Sequence, residues 1–239
     1  MIVDGTSIQV KIFADGADMQ TMLEMYRKNY VRGLTTNPTL MHKAGIRDYR
    51  RFAEEVLAEI KDKPISFEVF SDNLEEMISQ GLEIASWSEN VNVKIPVSNT
   101  EGLSTRPVIE YLSRQGVSLN VTAIMTNEQV TRVVDAIHGD ARSYISVFAG
   151  RIADTGRDPI PILKQSLETL EKRPNVELIW ASPRELLNVI QANEIGCHII
   201  TATSDILKKL EFIGKDLEQF SLETVRMFRD DALSSGFII

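Results

Sequence analysis

A lysine interrupts one of the most regularly apolar segments of the chain. In the run Val91–Val97, with the sequence VNVKIPV, valine and isoleucine alternate with Asn92 and Lys94. Side chains of a β-strand point alternately to opposite faces, so the pattern predicts an apolar face and a second face that carries Asn92 and Lys94. A lysine among branched apolar residues loses hydration, which disfavours the ammonium. A neutral amine is a nucleophile that can attack a ketone and form a Schiff base.

Other strand-like runs also carry polar or aromatic side chains on the face opposite their apolar residues. This alternation singles out Asp15, Glu68, Asn120, Thr122, Ser146, Phe148, Trp180 and Ser182. Carboxylates can move protons while an imine accepts electrons, so Asp15 and Glu68 beside Lys94 fit Schiff-base chemistry. On alternation alone, a buried ion pair of lysine and glutamate is the competing interpretation. For Trp180, a place in the core is favoured over contact with a substrate.

Strand-like runs alternate with helical patterns along the whole chain. The predicted strands are Val10–Asp15, Arg32–Thr36, Ile65–Phe70, Val91–Pro96, Ser118–Ala123, Tyr144–Ala149, Val176–Ser182 and Cys197–Thr201. The predicted helices include Asp72–Trp87, Thr126–Ile137 and Pro183–Ala192, the last with Ser182 as its N-cap. Eight such α/β units favour a closed (β/α)8 TIM barrel over an open sheet. We expect one barrel domain over residues 1–239, with an additional C-terminal helix at about 221–235.

Composition excludes several classes of function. The formal net charge is −8 and Lys and Arg are not clustered, which disfavours a nucleic-acid partner. No apolar run approaches the ~18 residues of a membrane span, and the N-terminus does not resemble a signal peptide. The three histidines are far apart, so no metal site is predicted. Cys197 is the only cysteine and is interpreted as a buried small residue, which fits a cytoplasmic protein.

Six short motifs resemble those of the transaldolase family, including its short members and the related fructose-6-phosphate aldolases. They are Phe13–Asp15, Thr35–Pro38, Val91–Pro96, Asn120–Thr122, Ser146–Ile152 and Ala181–Arg184. The segment Glu194–Thr201 also resembles the last strand of that family. The resemblance covers essentially the whole chain and is closest to transaldolase. It implies a class I aldolase mechanism on a (β/α)8 barrel that needs no metal or organic cofactor.

The resemblance also implies roles for individual residues of this chain. Lys94 matches the Schiff-base lysine, and Asp15 matches the acid/base group that takes the C4 hydroxyl proton. Glu68 and Thr122 match the pair that holds a catalytic water. The implied substrate-binding residues are Thr36, Asn37, Asn120, Ser146, Phe148 and Ser182, with Arg151 and Arg184 as the phosphate-binding arginines.

Simpler interpretations stay open for some of these residues. Asn37 and Pro38 are typical of a turn, and Asp15 is a reasonable N-cap for the helix that follows it. Arg151 fits a solvated loop as well as a phosphate site. Pro183 departs from the family pattern, which usually has an aromatic residue there, and it restricts the backbone of Ser182.

Two enzymatic functions and a binding function compete. A transaldolase would move a dihydroxyacetone unit from a ketose phosphate, such as sedoheptulose 7-phosphate or fructose 6-phosphate, to an aldose phosphate in the pentose phosphate pathway. A lyase would release free dihydroxyacetone, and a third candidate is a barrel that only binds a sugar phosphate. Glu68 and Phe148 favour the transaldolase, because the fructose-6-phosphate aldolases tend to have glutamine and tyrosine there.

The resemblance to the short members of the family also implies a homo-oligomer. Those members tend to form rings, such as pentamers or decamers, in which the C-terminal helix packs on a neighbour. Apolar residues recur along Ser221–Ser235 at helical spacing, which suits such a contact. The same helix would equally suit a position that closes its own barrel.

Overall fold

The computed structural model describes residues 2–3 and 6–238 of the chain. Within these residues, eight parallel strands form a closed barrel in which the last strand pairs with the first, as predicted. The predicted strand ends differ from the observed ends by at most two residues. A short antiparallel hairpin of β1 (Ile2–Val3) and β2 (Thr6–Ser7) precedes the barrel. The barrel strands are β3 (Lys11–Asp15), β4 (Val31–Thr35), β5 (Ile65–Glu68), β6 (Val91–Pro96), β7 (Leu119–Ile124), β8 (Ser143–Val147), β9 (Val176–Trp180) and β10 (Ile199–Thr203).

Helices connect the strands and surround the barrel. They are α1 (Met19–Tyr26), α2 (Pro38–Lys43), α3 (Tyr49–Glu59), α4 (Leu74–Ser86), α5 (Arg106–Arg114), α6 (Asn127–Ala136), α7 (Ala149–Ala153), α8 (Ile160–Leu170), α9 (Leu187–Glu194), α10 (Ser204–Lys208) and α11 (Leu217–Ser234). Several begin at a capping side chain, as at Asp18, Asp48 and Asn73. Thr126 and Gln129 form a complete capping box at the start of α6, which fixes the predicted start of that helix.

Strand alternation divides the apolar core into two parts. The outward face of each strand packs against the helices in one large cluster, represented by Ile12, Val93 and Val121. A smaller cluster fills the barrel interior and consists of Phe13, Tyr144, Ile179, Ala181 and Ile199, with Phe148 packed against it. The interior cluster contains the apolar residues of strands β3, β8, β9 and β10, whereas the interior residues of β5, β6 and β7 are polar or charged. The side around β5 to β7 therefore carries Glu68 and Lys94, whereas the side around β3 and β8 to β10 is mainly apolar up to Asp15 at the end of β3.

A glycine makes room for the Phe13 ring in the barrel interior. Phe13 on β3 and Gly33 on β4 are paired in register, and the Phe13 ring packs edge-on against Tyr144 at a centroid distance of 5.8 Å. A Cβ atom at Gly33 would lie 2.5 Å from the Phe13 ring. A side chain at position 33 would therefore force this ring out of its packed position.

Two predictions around β9 were wrong. Trp180 lies in the core as favoured, but it packs in the outer cluster against the helices, and Ile179 and Ala181 face the barrel interior instead. The helix predicted from Pro183 begins only at Leu187. Both errors have one cause, because Ser182 adopts a left-handed backbone with φ of 60°. That conformation interrupts the strand alternation and prevents Ser182 from acting as a helix N-cap.

The C-terminal helix α11 begins four residues earlier than predicted, because Asp216 caps it by accepting a hydrogen bond from the Gln219 amide. None of its residues is buried in the described chain, so the helix does not close its own barrel. Its start is held by ring contact between Phe212 and Phe220. Among the described residues, no helix is long and apolar enough to span a membrane.

We predict that Gly33→Ala lowers the free energy of unfolding by about 1–3 kcal/mol, because it overpacks the barrel interior. Gly16→Ala is the matched control, since its new Cβ would lie 3.7 Å from Met22, an ordinary contact distance. Urea unfolding followed by circular dichroism measures both. Equal stability of the two variants would contradict the assigned role of Gly33.

Candidate active site

A cavity of about 500 Å³ opens at the carboxyl ends of the barrel strands. Its lining residues are Asp15, Thr35, Asn37, Pro38, Thr39, Leu40, Glu68, Lys94, Asn120, Thr122, Ala123, Ser146, Phe148, Arg151, Ala181, Ser182, Arg184 and Thr201. Larger grooves of about 950 and 840 Å³ lie at the amino ends of the strands. There, Glu177 is already paired with Lys11. We place the candidate site at the carboxyl ends, where the active sites of such barrels form.

Lys94 lies on β6, where it is 6% exposed and flanked by the fully buried Val93 and Ile95. Its Nζ atom lies 3.0 Å from Glu68 Oε2 and donates a hydrogen bond of 3.0 Å to the Thr36 carbonyl. The ion pair that the sequence left open is therefore present. It follows from the register, because Glu68 on β5 and Lys94 on β6 are paired residues of adjacent parallel strands.

Asp15 ends β3 and opens on the same cavity. Its Oδ1 atom accepts a hydrogen bond of 2.8 Å from Thr35 Oγ1, and its Oδ2 atom accepts one of 3.4 Å from Asn37 Nδ2. Burial raises the pKa of Asp15, although the positive charge of Lys94 opposes that shift. The N-cap of α1 is Asp18, so the alternative interpretation of Asp15 as a helix cap is wrong.

Polar side chains from β5, β7 and β8 form a chain beside Lys94. Ser146 Oγ donates to Asn120 Oδ1 at 2.7 Å, and Asn120 Nδ2 donates to Ser66 Oγ at 3.0 Å. Thr122, two residues along β7, has a buried hydroxyl with no hydrogen-bond partner among the described residues. A buried hydroxyl is usually satisfied, so Thr122 Oγ1 offers a binding position for a polar group in the cavity.

Asn37 combines the two interpretations that its sequence allowed. Its side chain caps α2 by accepting a hydrogen bond from the Leu40 amide at 3.0 Å, with Pro38 in the first turn. Its Nδ2 atom donates the hydrogen bond of 3.4 Å to Asp15 Oδ2. The fixed start of α2 therefore orients an amide donor toward Asp15.

Two arginines lie at the mouth of the cavity. Arg151 is exposed in the short helix α7. Arg184 Nε donates to Asp154 Oδ1 at 2.9 Å and its Nη1 donates to Ser182 Oγ at 3.0 Å. The two segments approach closely at Gly150, where a Cβ atom would lie 1.7 Å from the Ser182 carbonyl oxygen. Gly150 thus lets both arginines reach one opening, and Asp154 partly neutralises Arg184.

Backbone strain concentrates at this cavity. Ala123 and Ser182, with φ of 61° and 60°, are the two residues other than glycine with positive φ in the described chain, and both line the cavity. Left-handed backbone costs such residues roughly 1–2 kcal/mol. Strain of this kind is typical of functional sites.

All the site residues expected from the sequence line the cavity except Thr36. The Thr36 side chain is fully buried and donates to the Ser66 carbonyl, so only its backbone carbonyl reaches Lys94. The sequence reasoning missed Thr35 and Thr201, whose side chains do line the cavity. Alternation from Ile199 along β10 would have identified Thr201.

No group of three or more potential metal ligands occurs within residues 2–3 and 6–238. The Cys197 thiol is buried, which raises its pKa to about 12. This thiol therefore stays protonated at neutral pH and is not a candidate nucleophile.

The chain is similar to one family of proteins over nearly its whole length. Residues 12–236 match the family model described as Transaldolase/Fructose-6-phosphate aldolase. A probable transaldolase of Thermoanaerobacter sp. is 34% identical over 231 residues, which cover 96% of this chain and 100% of that protein. A probable transaldolase of Streptococcus equi is 35% identical over 202 residues, which cover 84% of this chain and 90% of that protein.

We predict that Asp15→Asn raises the free energy of unfolding at neutral pH. The raised pKa means that folded Asp15 binds its proton more tightly than unfolded Asp15 does, so ionised Asp15 costs stability. That cost grows as pH rises from the ordinary value of 3.8 through the raised pKa, and the asparagine removes it. The gain should vanish toward pH 4. Urea unfolding between pH 4 and 8 measures the difference.

Asp18→Asn is the matched control for this prediction. Hydrogen bonds from the Thr21 side chain and backbone lower the pKa of Asp18, so its ionised form favours the folded state. Asp18→Asn should therefore not stabilise the protein at neutral pH. A loss of stability in Asp15→Asn that matches the control would contradict the assigned burial cost.

Proposed function

Because the chain belongs to the transaldolase/fructose-6-phosphate aldolase family, we propose that it is a transaldolase that acts through a Schiff base on Lys94. It takes a dihydroxyacetone unit from a ketose phosphate, such as sedoheptulose 7-phosphate or fructose 6-phosphate, and transfers it to an aldose phosphate. The observation that carries this proposal is the Lys94 amine, 3.0 Å from the Glu68 carboxylate in a cavity that Asp15 also lines. Imine formation and carbon–carbon cleavage need these three groups.

Imine formation begins when Lys94 Nζ gives a proton to Glu68 Oε2, whose distance of 3.0 Å permits direct transfer. The free amine attacks the C2 carbonyl of the ketose and forms a carbinolamine. Glu68 then returns the proton to the leaving hydroxyl, and a water molecule departs as the imine forms. The unpartnered hydroxyl of Thr122 supplies a hydrogen-bonding position for that water.

Cleavage then breaks the C3–C4 bond of the bound sugar. Asp15 takes the proton of the C4 hydroxyl, the electron pair of the bond moves into the protonated imine, and an aldehyde leaves. Lys94 now holds the enamine of dihydroxyacetone. A raised pKa suits Asp15 to this task, because a base works best when its pKa is near the working pH. Addition of the enamine to the acceptor aldehyde reverses these steps, and hydrolysis of the imine frees Lys94.

Neutral polar groups orient the sugar during these steps. The amides of Asn37 and Asn120 and the hydroxyls of Ser146 and Ser182 line the cavity around Lys94 and Asp15. Asn120 is held by Ser66 and Ser146, so its amide has a fixed orientation. Fixed donors and acceptors favour one position of the dihydroxyacetone unit, which keeps the reacting bond aligned with Asp15.

The fate of the enamine separates a transferase from a lyase. A lyase must protonate the enamine and hydrolyse the imine before an aldehyde arrives. Phe148 carries no hydroxyl, and its ring packs against the dry interior cluster. It gives no hydrogen-bonding position to a water molecule at that wall, which supports transfer to an acceptor over release of free dihydroxyacetone.

We also propose that the protein is a homo-oligomer that works in the cytoplasm, in the pentose phosphate pathway. The exposed apolar side chains of α11 support the oligomer, since Leu217, Val225 and Phe228 are 80%, 60% and 63% exposed. Large apolar side chains that stay mostly exposed on one helix suit a contact with a second copy. Size-exclusion chromatography with light scattering measures the number of copies.

The experiment that tests the function is incubation with fructose 6-phosphate, with and without erythrose 4-phosphate, followed by product identification. We expect sedoheptulose 7-phosphate with the acceptor and only slow release of dihydroxyacetone without it. Lys94→Arg should lose essentially all turnover, because arginine does not lose its proton near neutral pH. Equal rates of fructose 6-phosphate consumption with and without the acceptor would favour the lyase.

We predict that Phe148→Tyr shifts the balance toward cleavage and release of dihydroxyacetone. The added hydroxyl can hold a water molecule that protonates the enamine, and water then hydrolyses the resulting imine and releases dihydroxyacetone. The ratio of dihydroxyacetone to sedoheptulose 7-phosphate should rise relative to the wild-type protein under the same conditions. An unchanged ratio would show that position 148 does not control access of water.

We predict that Arg151→Ala lowers kcat/KM for phosphorylated acceptors by roughly 10- to 150-fold, the loss expected for one hydrogen bond to a charged group. Unphosphorylated aldehydes should be affected much less. Arg157→Ala is the matched control, because Arg157 is exposed in the same connection and does not line the cavity. Equal losses for the two kinds of acceptor would assign Arg151 a structural role.

A further inference from the structure

We propose that Thr201 and Thr35 form a relay of two hydroxyl groups that orients the Asp15 carboxylate and keeps it ready to accept a proton. This makes both threonines positioning residues, which act on the reaction only through Asp15. The inference rests on the proposed function, because it gives the relay its purpose in proton transfer at C4 of the sugar.

The hydrogen-bond directions in the relay follow from the available hydrogens. Thr35 Oγ1 lies 2.8 Å from Asp15 Oδ1 and 2.6 Å from Thr201 Oγ1. A carboxylate only accepts hydrogen bonds, so the single hydroxyl hydrogen of Thr35 goes to Asp15. Thr35 can then only accept from Thr201, and Thr201 must be the donor. The chain therefore runs in one direction, from Thr201 through Thr35 to Asp15.

Three adjacent strands of the closed barrel bring these residues together. Asp15 on β3 is in register with Thr35 on β4 and with Thr203 on β10. Thr201 precedes Thr203 by two residues, so alternation gives both the same face. Both relay threonines are almost fully buried, at 3% exposed for Thr35 and 6% for Thr201. In this setting, one hydroxyl polarises the next and strengthens the bond to the carboxylate.

The other groups that face Asp15 cannot replace the relay. The charges of Lys94 on β6 and Glu68 on β5 act on Asp15 in opposite directions. Both charges also change during the reaction. Lys94 is an amine, then an imine, then an enamine, and Glu68 accepts a proton and returns it. Asn37 donates to the other carboxylate oxygen over a longer distance of 3.4 Å. Thr35 is therefore the closest donor to Asp15 whose charge and position stay constant through the cycle.

A merely structural role for the threonines makes a different prediction. If the two side chains only fill space, Thr35→Val and Thr201→Val keep that volume and should not move the titration of Asp15. If they form the relay, removal of the Thr35 hydroxyl should raise the pKa at which Asp15 titrates by about one unit or more, the equivalent of one hydrogen bond to a charged group. Thr201→Val should raise it by a few tenths of a unit, because only the polarisation is lost.

The experiment measures this titration in two independent ways. The first is the acidic limb of the pH profile of kcat/KM for transfer from fructose 6-phosphate to erythrose 4-phosphate. The second is the carboxyl carbon resonance of Asp15 in protein labelled with ¹³C-aspartate, assigned with Asp15→Asn and recorded without substrate. The variants are Thr35→Val, Thr201→Val, the double variant and the conservative Thr35→Ser.

We expect both measurements to give a raised pKa for Asp15 in the variants. The increase should be small in Thr201→Val and larger in Thr35→Val, and the double variant should equal Thr35→Val alone. Thr35→Ser should restore the wild-type titration. Unchanged titration in Thr35→Val, or additive shifts in the double variant, would overturn the relay. If Thr35→Val does not fold, an unshifted Thr201→Val overturns it. The two proposals can fail separately. If the wild-type protein has no transfer activity but the Asp15 resonance shifts among the variants in the expected order, the proposed function is wrong and the relay is retained.

Discussion

The pair of Lys94 and Glu68 is the interaction on which the rest of the interior depends. Two charges this close to the axis of a closed barrel are costly to dehydrate, and each must keep a partner. The amine meets this condition with a carboxylate and a backbone carbonyl, both at 3.0 Å. Loss of one member of a buried pair typically costs about 3–5 kcal/mol, because the other charge is left uncompensated. The chain therefore has to place both residues together, and strand register does so.

Register also explains why the polar groups around Lys94 lie together. Glu68, Lys94 and Asn120 are consecutive partners across three neighbouring strands, so a small error in register would separate all of them. The opposite side of the interior is filled by rings and aliphatic groups around Phe13. These apolar contacts contribute stability to the barrel interior. The buried charges and the strained backbone at Ala123 and Ser182, which lower stability, all lie at the cavity.

Alternation along strands made much of this arrangement predictable. The apolar neighbours of Lys94 and Asn120 fixed which face these side chains occupy, and eight strand–helix units fixed the barrel. The same rule failed at Trp180. The left-handed backbone of Ser182 interrupts the alternation, so Ser182 lines the cavity while Trp180 packs against the helices. A left-handed serine has no sequence signature comparable to glycine, so no pattern announced it.

Hydrogen-bond partners were harder to predict than positions. Either Thr35 or Thr36 could face Asp15, depending on where β4 ends and the chain turns into α2. The sequence does not define strand ends sharply. Thr201 was visible by alternation but had no charged neighbour in sequence to draw attention to it. Its link to Asp15 exists only because the barrel closes and joins the last strand to the first.

The most direct test of the Schiff-base account is reduction with borohydride in the presence of fructose 6-phosphate, followed by mass spectrometry of the peptides. We predict that a sugar-derived adduct forms on Lys94 only, that inactivation accompanies it, and that protein treated without the sugar stays unmodified. Glu68→Gln should form the adduct more slowly, because the amine loses its proton acceptor. An adduct on another lysine, or full retention of activity with no adduct, would contradict the account.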